Sequence, residues 1–554
     1  MAAPRAPYVC LNCRVRHGLL LNRRALQQQQ QQRNFATSSP RRAGDVVRPP
    51  TAPKQTPDVK HIRQNAELYS KNCIDRNYPS HAKSPFRIRE LCEETKRLDH
   101  ELQEPRARIK QLEKSIAQLA RSAAAQDGDN TEASRQLARL REEAQLLKDE
   151  SRAMTMLQET CMEEIHRLAL ALPNLSSAET PVGDGPKLVR YINFDPENPP
   201  AWTRSKKPLD PSRSHVAIGS ALGLIDFTSS ATSTGWGWYY LTNEGALLEH
   251  ALVQYALSVA LRRGWRVVSP PSIVYSYIAE ACGFQPRDQN NEQQIWAIEQ
   301  SEKDKASAKP PRSLTGTAEI PLAAMYAGRD IDAAELPIKL VGASRCYRAE
   351  AGARGVDTKG LYRVHEFTKV ELFGWADNIP PEAQQQSSSG GKDRPTSETL
   401  FAEILDIQTE ILTSLNLPCR VLEMPTTDLG ASASRKRDIE ALFPSRFRPP
   451  PPTPTSTTIT IATPESSLET AWGEVTSASI CTDYQSRRLG TRARGGGIKE
   501  ARFPHTVNGT AVAVPRVIAA ILENGWDEKR GVVVVPEVLR PYMGGVEVIR
   551  GRRK

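Results

Sequence analysis

Long apolar runs are missing from this chain. No stretch of about 18 apolar residues occurs, and even Ala246–Leu261 is broken by Glu249, His250 and Gln254, so no bilayer-spanning helix and no membrane insertion are expected. Glycine-rich phosphate cradles are missing too. There is no GxGxxG turn and no P-loop, which argues against a Rossmann domain and a Walker-type nucleotide site. Paired cysteines are scarce. Only Cys10-x-x-Cys13, with His17 nearby, could suggest zinc, yet three ligands without a second pair do not make a structural site, and no zinc is expected. The other seven cysteines show no CxxC pairing and read as free thiols in a reducing compartment.

Acidic residues are absent from residues 1–44, which hold eight arginines. Those arginines carry +8 of the net +10, leaving only +2 for the remaining 510 residues. The basic balance therefore describes the leader and not a nucleic-acid-binding face. An Arg-rich, acid-free start with the small and hydroxyl residues Ala36–Ser39 has the makeup of an organelle transit peptide. Arg33-Asn34-Phe35 resembles an Arg-x-Phe processing site, so residues 1–35 are expected to direct the chain to the mitochondrial matrix. The alternative is a disordered basic tail that stays in the cytosol.

What is present is a chain of 554 residues, 39% hydrophobic and 25% charged, long enough for two to four folding units. After a linker over 36–83, residues 84–175 follow a three-four apolar alternation. Ile88, Leu91, Leu98, Leu102, Ile109, Leu112, Ile116 and Leu119 mark one seam, interrupted by Thr95 and Pro105. Leu137, Leu140, Ala144, Leu147, Met154, Cys161, Ile165, Leu168 and Leu172 mark a second, with Ser151 and Gln158 as its polar positions. Such spacing specifies a coiled coil. The turn-rich Asp127-Gly128-Asp129-Asn130-Thr131 folds it into an antiparallel arm about 50 Å long, with a kink expected at Pro105. Acidic residues balance most of its Arg and Lys, a pattern that by itself describes a solvated face. Leu172-Pro173-Asn174 ends the arm.

Residues 176–554 read as a mixed α+β unit without regular βαβ alternation. Helices are expected at Glu244–Arg263, Leu400–Leu415 and Val512–Asn524. Strands are expected at Trp265–Ser269, Ile338–Val341, Leu361–Phe373, Arg420–Leu422, Ala471–Thr476 and Val532–Val535. Two polar insertions, 380–395 and 446–467, are too rich in Gln, Ser, Gly, Pro and Thr to bury much apolar surface.

Four clusters combine opposite charges with hydroxyl residues: Thr315–Glu319, Arg345–Glu371, Gly473–Arg488 and His505–Arg516. An Arg can clamp phosphate or carboxylate through paired hydrogen bonds, and two oxygen ligands can hold a divalent ion against phosphates. Taken singly, each cluster is better explained by a structural ion pair than by a site.

Their order is informative. Pro270-Pro271 after a helix-strand pair, Arg348-x-Glu350 in a strand-loop-strand and Arg516 early in a helix resemble motifs 1, 2 and 3 of class II aminoacyl-tRNA synthetases. Thr317-Ala318-Glu319, Arg348-Ala349-Glu350-Ala351-Gly352, Tyr362–Glu371, Glu474–Arg488 and His505–Arg516 are similar to the TxE, RxEAG, YRVHQFxKVE, E-[IV]-[ST]-S…D-[YF]-Q-x-R-R and HTxNGTxxAxxR elements of seryl-tRNA synthetases, over roughly residues 56–550. Glu366 replaces the family's Gln, and Pro515 stands where Gly is common.

The resemblance implies an antiparallel catalytic sheet flanked by helices, preceded by an arm that holds the long variable arm of serine tRNA. It also implies a mitochondrial-type serine–tRNA ligase that converts L-serine and ATP to seryl-adenylate and pyrophosphate, then charges tRNA(Ser), as a homodimer. Arg348 and Arg516 would be catalytic, clamping the α- and γ-phosphates. Serine would be held by Thr317, Glu319, Arg348, Glu371, Asn508 and Thr510. ATP would meet Arg348, Ala349, Glu350, Val364, His365, Glu366, Phe367, Glu474, Val475, Thr476, Ser477 and Arg516, with Mg²⁺ on Glu474 and Ser477. Arg354, Lys359 and Arg363 would touch the acceptor end of the tRNA, simple solubility of the loop being the competing explanation. A synthetase-like paralogue would not need intact Thr317, Glu319, Glu371 and Thr510. A non-catalytic RNA-binding scaffold would not need Arg348, Glu474 and Arg516. All of these are present.

Overall fold

A computed structural model describes residues 48–124, 131–204, 210–284, 294–349, 360–378, 395–448, 468–496 and 498–551. The leader with Cys10, Cys13 and His17, the arm turn at 125–130, Glu350 with the loop that holds Arg354 and Lys359, and most of both polar insertions lie outside the described residues.

Two helices, α1 (Ser84–Ala124) and α2 (Thr131–Ala171), form the arm. Each has 41 residues, so the arm is about 60 Å long at 1.5 Å per residue. Helix α1 continues through Pro105. Ile88, Leu91, Leu98, Leu102 and Leu112 are buried on one helix, Ala144, Cys161 and Ile165 on the other, as the seams predict. The base of the arm is tied to the rest of the chain by polar contacts. Asn174 Nδ2 donates to the carbonyls of Ser432 and Cys481 at 2.8 and 2.9 Å, and the buried Arg76 donates to the carbonyls of Asn174 and Gly430.

The catalytic unit is built on an eight-stranded sheet. Its strands are β1 (Lys187–Ile192), β2 (Arg266–Val268), β3 (Ile338–Tyr347), β4 (Glu366–Ala376), β5 (Cys419–Glu423), β6 (Arg435–Leu442), β7 (Trp472–Thr482) and β8 (His505–Ala513). The spatial order is β1-β5-β6-β7-β8-β4-β3-β2, antiparallel except for the β2–β3 pair. Helices α3 (Glu244–Arg262), α4 (Ser397–Ser414) and α5 (Val514–Asn524) cover one face. There Leu252, Ile404, Ile411 and Ile518 pack with Val370, Leu372, Ala478, Val507 and Ala511 of the sheet in one apolar core.

The opposite face is different because strand residues alternate sides. Alternating with the core-facing Val370 and Leu372, β4 presents Phe367, Lys369 and Glu371, and β8 presents Asn508 and Thr510 beside core-facing Gly509 and Ala511. Glu371 sits directly across from Thr510. This polar, half-open face is the floor of the candidate site.

Candidate active site

A bulge explains one of the spacings. Across β6 and β7, Asp438 faces Ser477 and Glu440 faces Glu474, with a register shift between. Asp438 and Glu440 are two apart on one strand face, so Glu474 and Ser477, three apart, also share a face. A regular strand would have put them on opposite sides. Glu474, Ser477 and Arg516 thereby line one cleft together with Arg348, Tyr362, Arg363, Val364, Phe367, Lys369, Val475, Thr476 and Thr510.

At one end of the cleft, Arg516 Nη1 donates to the Glu474 carboxylate at 2.9 Å and to its carbonyl at 3.0 Å, while Nε donates to the Tyr362 carbonyl at 3.0 Å. Burial opposes ionisation of Glu474, but Arg516 and Lys436, with smaller help from Arg348, outweigh it and hold the carboxyl at about 2. It is an anion at any working pH. Pro515 occupies the first turn of α5, where a missing N–H costs nothing, so this departure from the family pattern fits the helix start.

Glu474 and Ser477 are hard oxygen donors on one wall, the set that a magnesium ion shared with phosphates requires. Among the described residues the buried Asp438 Oδ1, directly across from Ser477, has no hydrogen-bond partner, while its other oxygen pairs with Lys436 at 2.9 Å. The donor chemistry fits the ion. Among the described residues no group of three or more His, Cys, Asp or Glu side chains could hold a metal without help from a substrate.

In the middle of the cleft the Arg348 guanidinium lies over the Phe367 ring, 5.3 Å from its centroid. The arginine's backbone is fixed by a mutual contact with His365: Arg348 N donates to the His365 carbonyl at 2.9 Å, and His365 Nδ1 lies 3.0 Å from the Arg348 carbonyl. Trp236, Trp238 and Trp296 surround the His365 ring. A Cβ at Gly237, whose φ is +85°, would lie 2.5 Å from that ring, so the position demands glycine. His365 thus braces the arginine and is not itself a wall of the cleft. Glu366 pairs with Arg345 at 3.4 Å, also outside the lining, and Ala349 N donates to the Gln294 carbonyl at 3.2 Å. Thr476 lines the cleft, but its hydroxyl bonds the Thr510 carbonyl and receives Gln408 Nε2, so that hydroxyl is committed to structural partners.

Of the remaining predicted residues only Thr510 lines the cleft; Glu371, Asn508, Glu319 and Thr317 are buried and join it through side-chain contacts with Thr510, Lys369 and one another. Lys369 Nζ and Glu371 Oε2 are 2.7 Å apart and buried, and the Thr510 hydroxyl donates to the same oxygen at 3.1 Å. Glu319 Oε1 accepts from Asn508 Nδ2 at 2.7 Å and from Gln485 Nε2 at 2.6 Å. Thr317 is buried next to it, its hydroxyl 3.4 Å from the Glu319 N–H. Burial and the neighbouring Glu371 push the Glu319 carboxyl up to about 7, against the pull of Lys369, Gln485 and Arg348.

Sequence reasoning missed Lys369, Gln485, Lys436 and Asp438. For Lys369 the signal was available, since a residue two before Glu371 on a strand shares its face.

An antiparallel sheet whose polar face carries Arg348, Glu474 and Arg516 from a strand end, a bulge and a helix start defines the catalytic core of a class II aminoacyl-tRNA synthetase. Residues 308–525 match the family model for the tRNA synthetase class II core domain (G, H, P, S and T), and residues 58–176 match that of the seryl-tRNA synthetase N-terminal domain. The chain is 41% identical to the mitochondrial serine–tRNA ligase of Saccharomyces cerevisiae, covering 68% of this chain and 72% of that one. It is 37% identical to the mitochondrial enzyme of Schizosaccharomyces pombe over 88% of each chain. Among solved structures, a seryl-tRNA synthetase from Pyrococcus horikoshii complexed with ATP matches with a TM-score of 0.64 and 28% identity, over 90% of this chain and all of the other. The chain belongs to the seryl-tRNA synthetase family, the serine–tRNA ligases, and within it resembles the mitochondrial type.

Proposed function

We propose that the cleft activates L-serine with ATP and then esterifies tRNA(Ser) in the mitochondrial matrix. The observation that supports this most directly is convergence. Residues 168 positions apart in the chain, Arg348 and Arg516, line one cavity with the anionic Glu474 between its walls.

In this reading serine lies at the Glu319 end. Glu319 and Thr317 position its ammonium group. Glu371, Thr510 and Asn508 meet its hydroxyl. Alanine is rejected because it would strand these buried polar groups. Arg348 orients the serine carboxylate toward the α-phosphorus of ATP and stabilises the charge that grows there during in-line attack. Phe367 supports the adenine ring, with Val364, Val475 and the backbone of Thr476 closing its surroundings. Arg516 anchors the γ-phosphate and directs pyrophosphate away. Mg²⁺ held by Glu474 and Ser477 would neutralise phosphate charge. Transfer to the tRNA ribose needs proximity more than a protein base, and none stands out among the lining residues.

The arm supplies the tRNA contact. Residues 105–141, its outer part, hold eight Lys and Arg against four Asp and Glu, whereas 84–104 and 142–171 hold seven against thirteen. The arm is thus polarised, with a basic tip and an acidic base. Lys110, Lys114, Arg121, Arg135, Arg139 and Arg141 are exposed on that tip, as a phosphate-tracking surface requires. Leu247, Leu261, Val267 and Ile273 are exposed by 44 to 53% around the motif 1 elements, which supports a homodimer buried there. Aminoacylation of mitochondrial tRNA(Ser) by the protein lacking residues 1–35 tests the proposal. Serine-specific charging is expected, and charging with another amino acid or none at all would reject it.

A further inference from the structure

We infer that Gln485 is a positioning residue for amino-acid recognition: its side-chain amide grips one oxygen of Glu319 and leaves the other aimed at the ammonium group of serine. The inference rests on the reading of Glu319 as the ammonium site. Glu319 opens the short helix Glu319–Ala324 and is only 7% exposed. Both of its side-chain donors, Gln485 Nε2 at 2.6 Å and Asn508 Nδ2 at 2.7 Å, converge on Oε1. Among the described residues Oε2 accepts no hydrogen bond, so that oxygen is kept for a ligand.

Gln485 is fully buried, and its own Oε1 accepts the Thr506 hydroxyl at 2.7 Å. A flipped amide would press its carbonyl oxygen against the Glu319 carboxylate, so the Glu319 end sets the orientation and the Thr506 hydroxyl, able to donate or accept, adapts to it. The helix that carries it, Tyr484–Leu489, is itself immobilised. Arg488 Nη2 donates to the carbonyls of Leu170 and Leu172 at 3.1 and 3.3 Å, and Arg487 pairs with Asp58 and Asp483 at 2.8 and 2.7 Å. A carboxylate held by a rigid, buried partner meets its ligand without reorganisation.

The amide also bears on charge. Glu319 is faced by Glu371 and Lys369 from β4, Arg348 beyond β3, and the buried thiols of Cys282 and Cys481. Burial and Glu371 raise its carboxyl, and the Gln485 hydrogen bond is among the influences that lower it. Removing that bond leaves the acid still harder to ionise.

The test is serine-dependent ATP–pyrophosphate exchange between pH 6 and 9, with thermal melting, on the wild type and on Gln485→Met, Thr506→Val and Glu319→Gln. Gln485→Met should raise KM for serine about tenfold or more, the scale of one lost charge-assisted hydrogen bond. It should leave KM for ATP within about twofold, and shift the acidic limb of kcat/KM for serine to higher pH. Thr506→Val should move the same quantities less far in the same direction. If Glu319→Gln leaves KM for serine unchanged, the ammonium reading itself fails. If Glu319→Gln raises it while a folded Gln485→Met keeps wild-type KM and pH limb, the Gln485 inference alone is overturned. Should Gln485→Met not fold, Thr506→Val decides, and an unmoved pH limb there overturns the inference.

Discussion

Replacing Glu319 with glutamine should stabilise the ligand-free protein at alkaline pH while spoiling serine binding. The ordinary glutamate value of 4.5 is raised here to about 7, first by burial and then by Glu371. The folded chain therefore holds a proton that the unfolded chain releases between about pH 4.5 and 7, so this group's contribution to stability falls as pH rises through that window and is flat above it. At about 1.4 kcal/mol per pH unit, keeping the carboxylate ionised at pH 8 costs up to about 3 kcal/mol. Glutamine mimics the protonated acid, and its oxygen can still accept from Gln485 and Asn508. Urea denaturation at pH 5 and pH 8 reads the difference. The variant should match the wild type within about 1 kcal/mol at pH 5 and exceed it by as much as about 3 kcal/mol at pH 8. Added serine should stabilise the wild type and leave the variant unmoved. A variant less stable than the wild type at pH 8 would refute the reasoning, because the carboxylate would then be a stabilising anion.

Other consequences are equally open to measurement. Lys369→Met should destabilise the fold by about 3–5 kcal/mol by leaving the buried Glu371 uncompensated, and adding Glu371→Gln should restore much of that, as denaturation of both variants will show. Replacing Lys110, Lys114 and Arg121 together by glutamate should weaken charging of tRNA at least about tenfold and flatten the salt dependence of what remains, yet leave pyrophosphate exchange at wild-type rate; loss of exchange would contradict a separate tRNA-binding role for the arm tip. Thr510→Val should erode discrimination of serine over alanine in exchange assays by about tenfold or more, and unchanged selectivity would remove Thr510 from the hydroxyl subsite.

The arm was legible because a coiled coil writes its packing into sequence at fixed spacing, and the buried Ile88, Leu91 and Leu102 follow it. The three longest helices of the catalytic unit were also legible, to within about three residues at their ends, whereas short helices such as Glu319–Ala324 and Tyr484–Leu489 were not. The strands were read less well, and for one reason. Their cleft face is polar, so β6 (Lys436, Asp438, Glu440) and β8 (His505–Ala513) lack the apolar run that marks a buried strand, while β3 extends past Val341 through Ser344 and Arg345 to Tyr347. Leu361 looks like strand but is core filling ahead of β4, which begins at Glu366. The site residues were named from motif order, which says which side chains belong together but not how they divide the work. That Thr476 and His365 turn to structural partners, and that Glu319 depends on Gln485, follows only from the direction each side chain takes from its strand or helix.

The claim that everything else depends on is that one cleft joins serine to a triphosphate gripped by Arg348 and Arg516. Exchange of labelled pyrophosphate into ATP by the protein lacking residues 1–35, with and without serine, and with Arg348→Ala beside the wild type, tests it in one experiment. The account predicts exchange that requires serine and collapses in the variant. Exchange that ignores serine, or that survives Arg348→Ala undiminished, would contradict it.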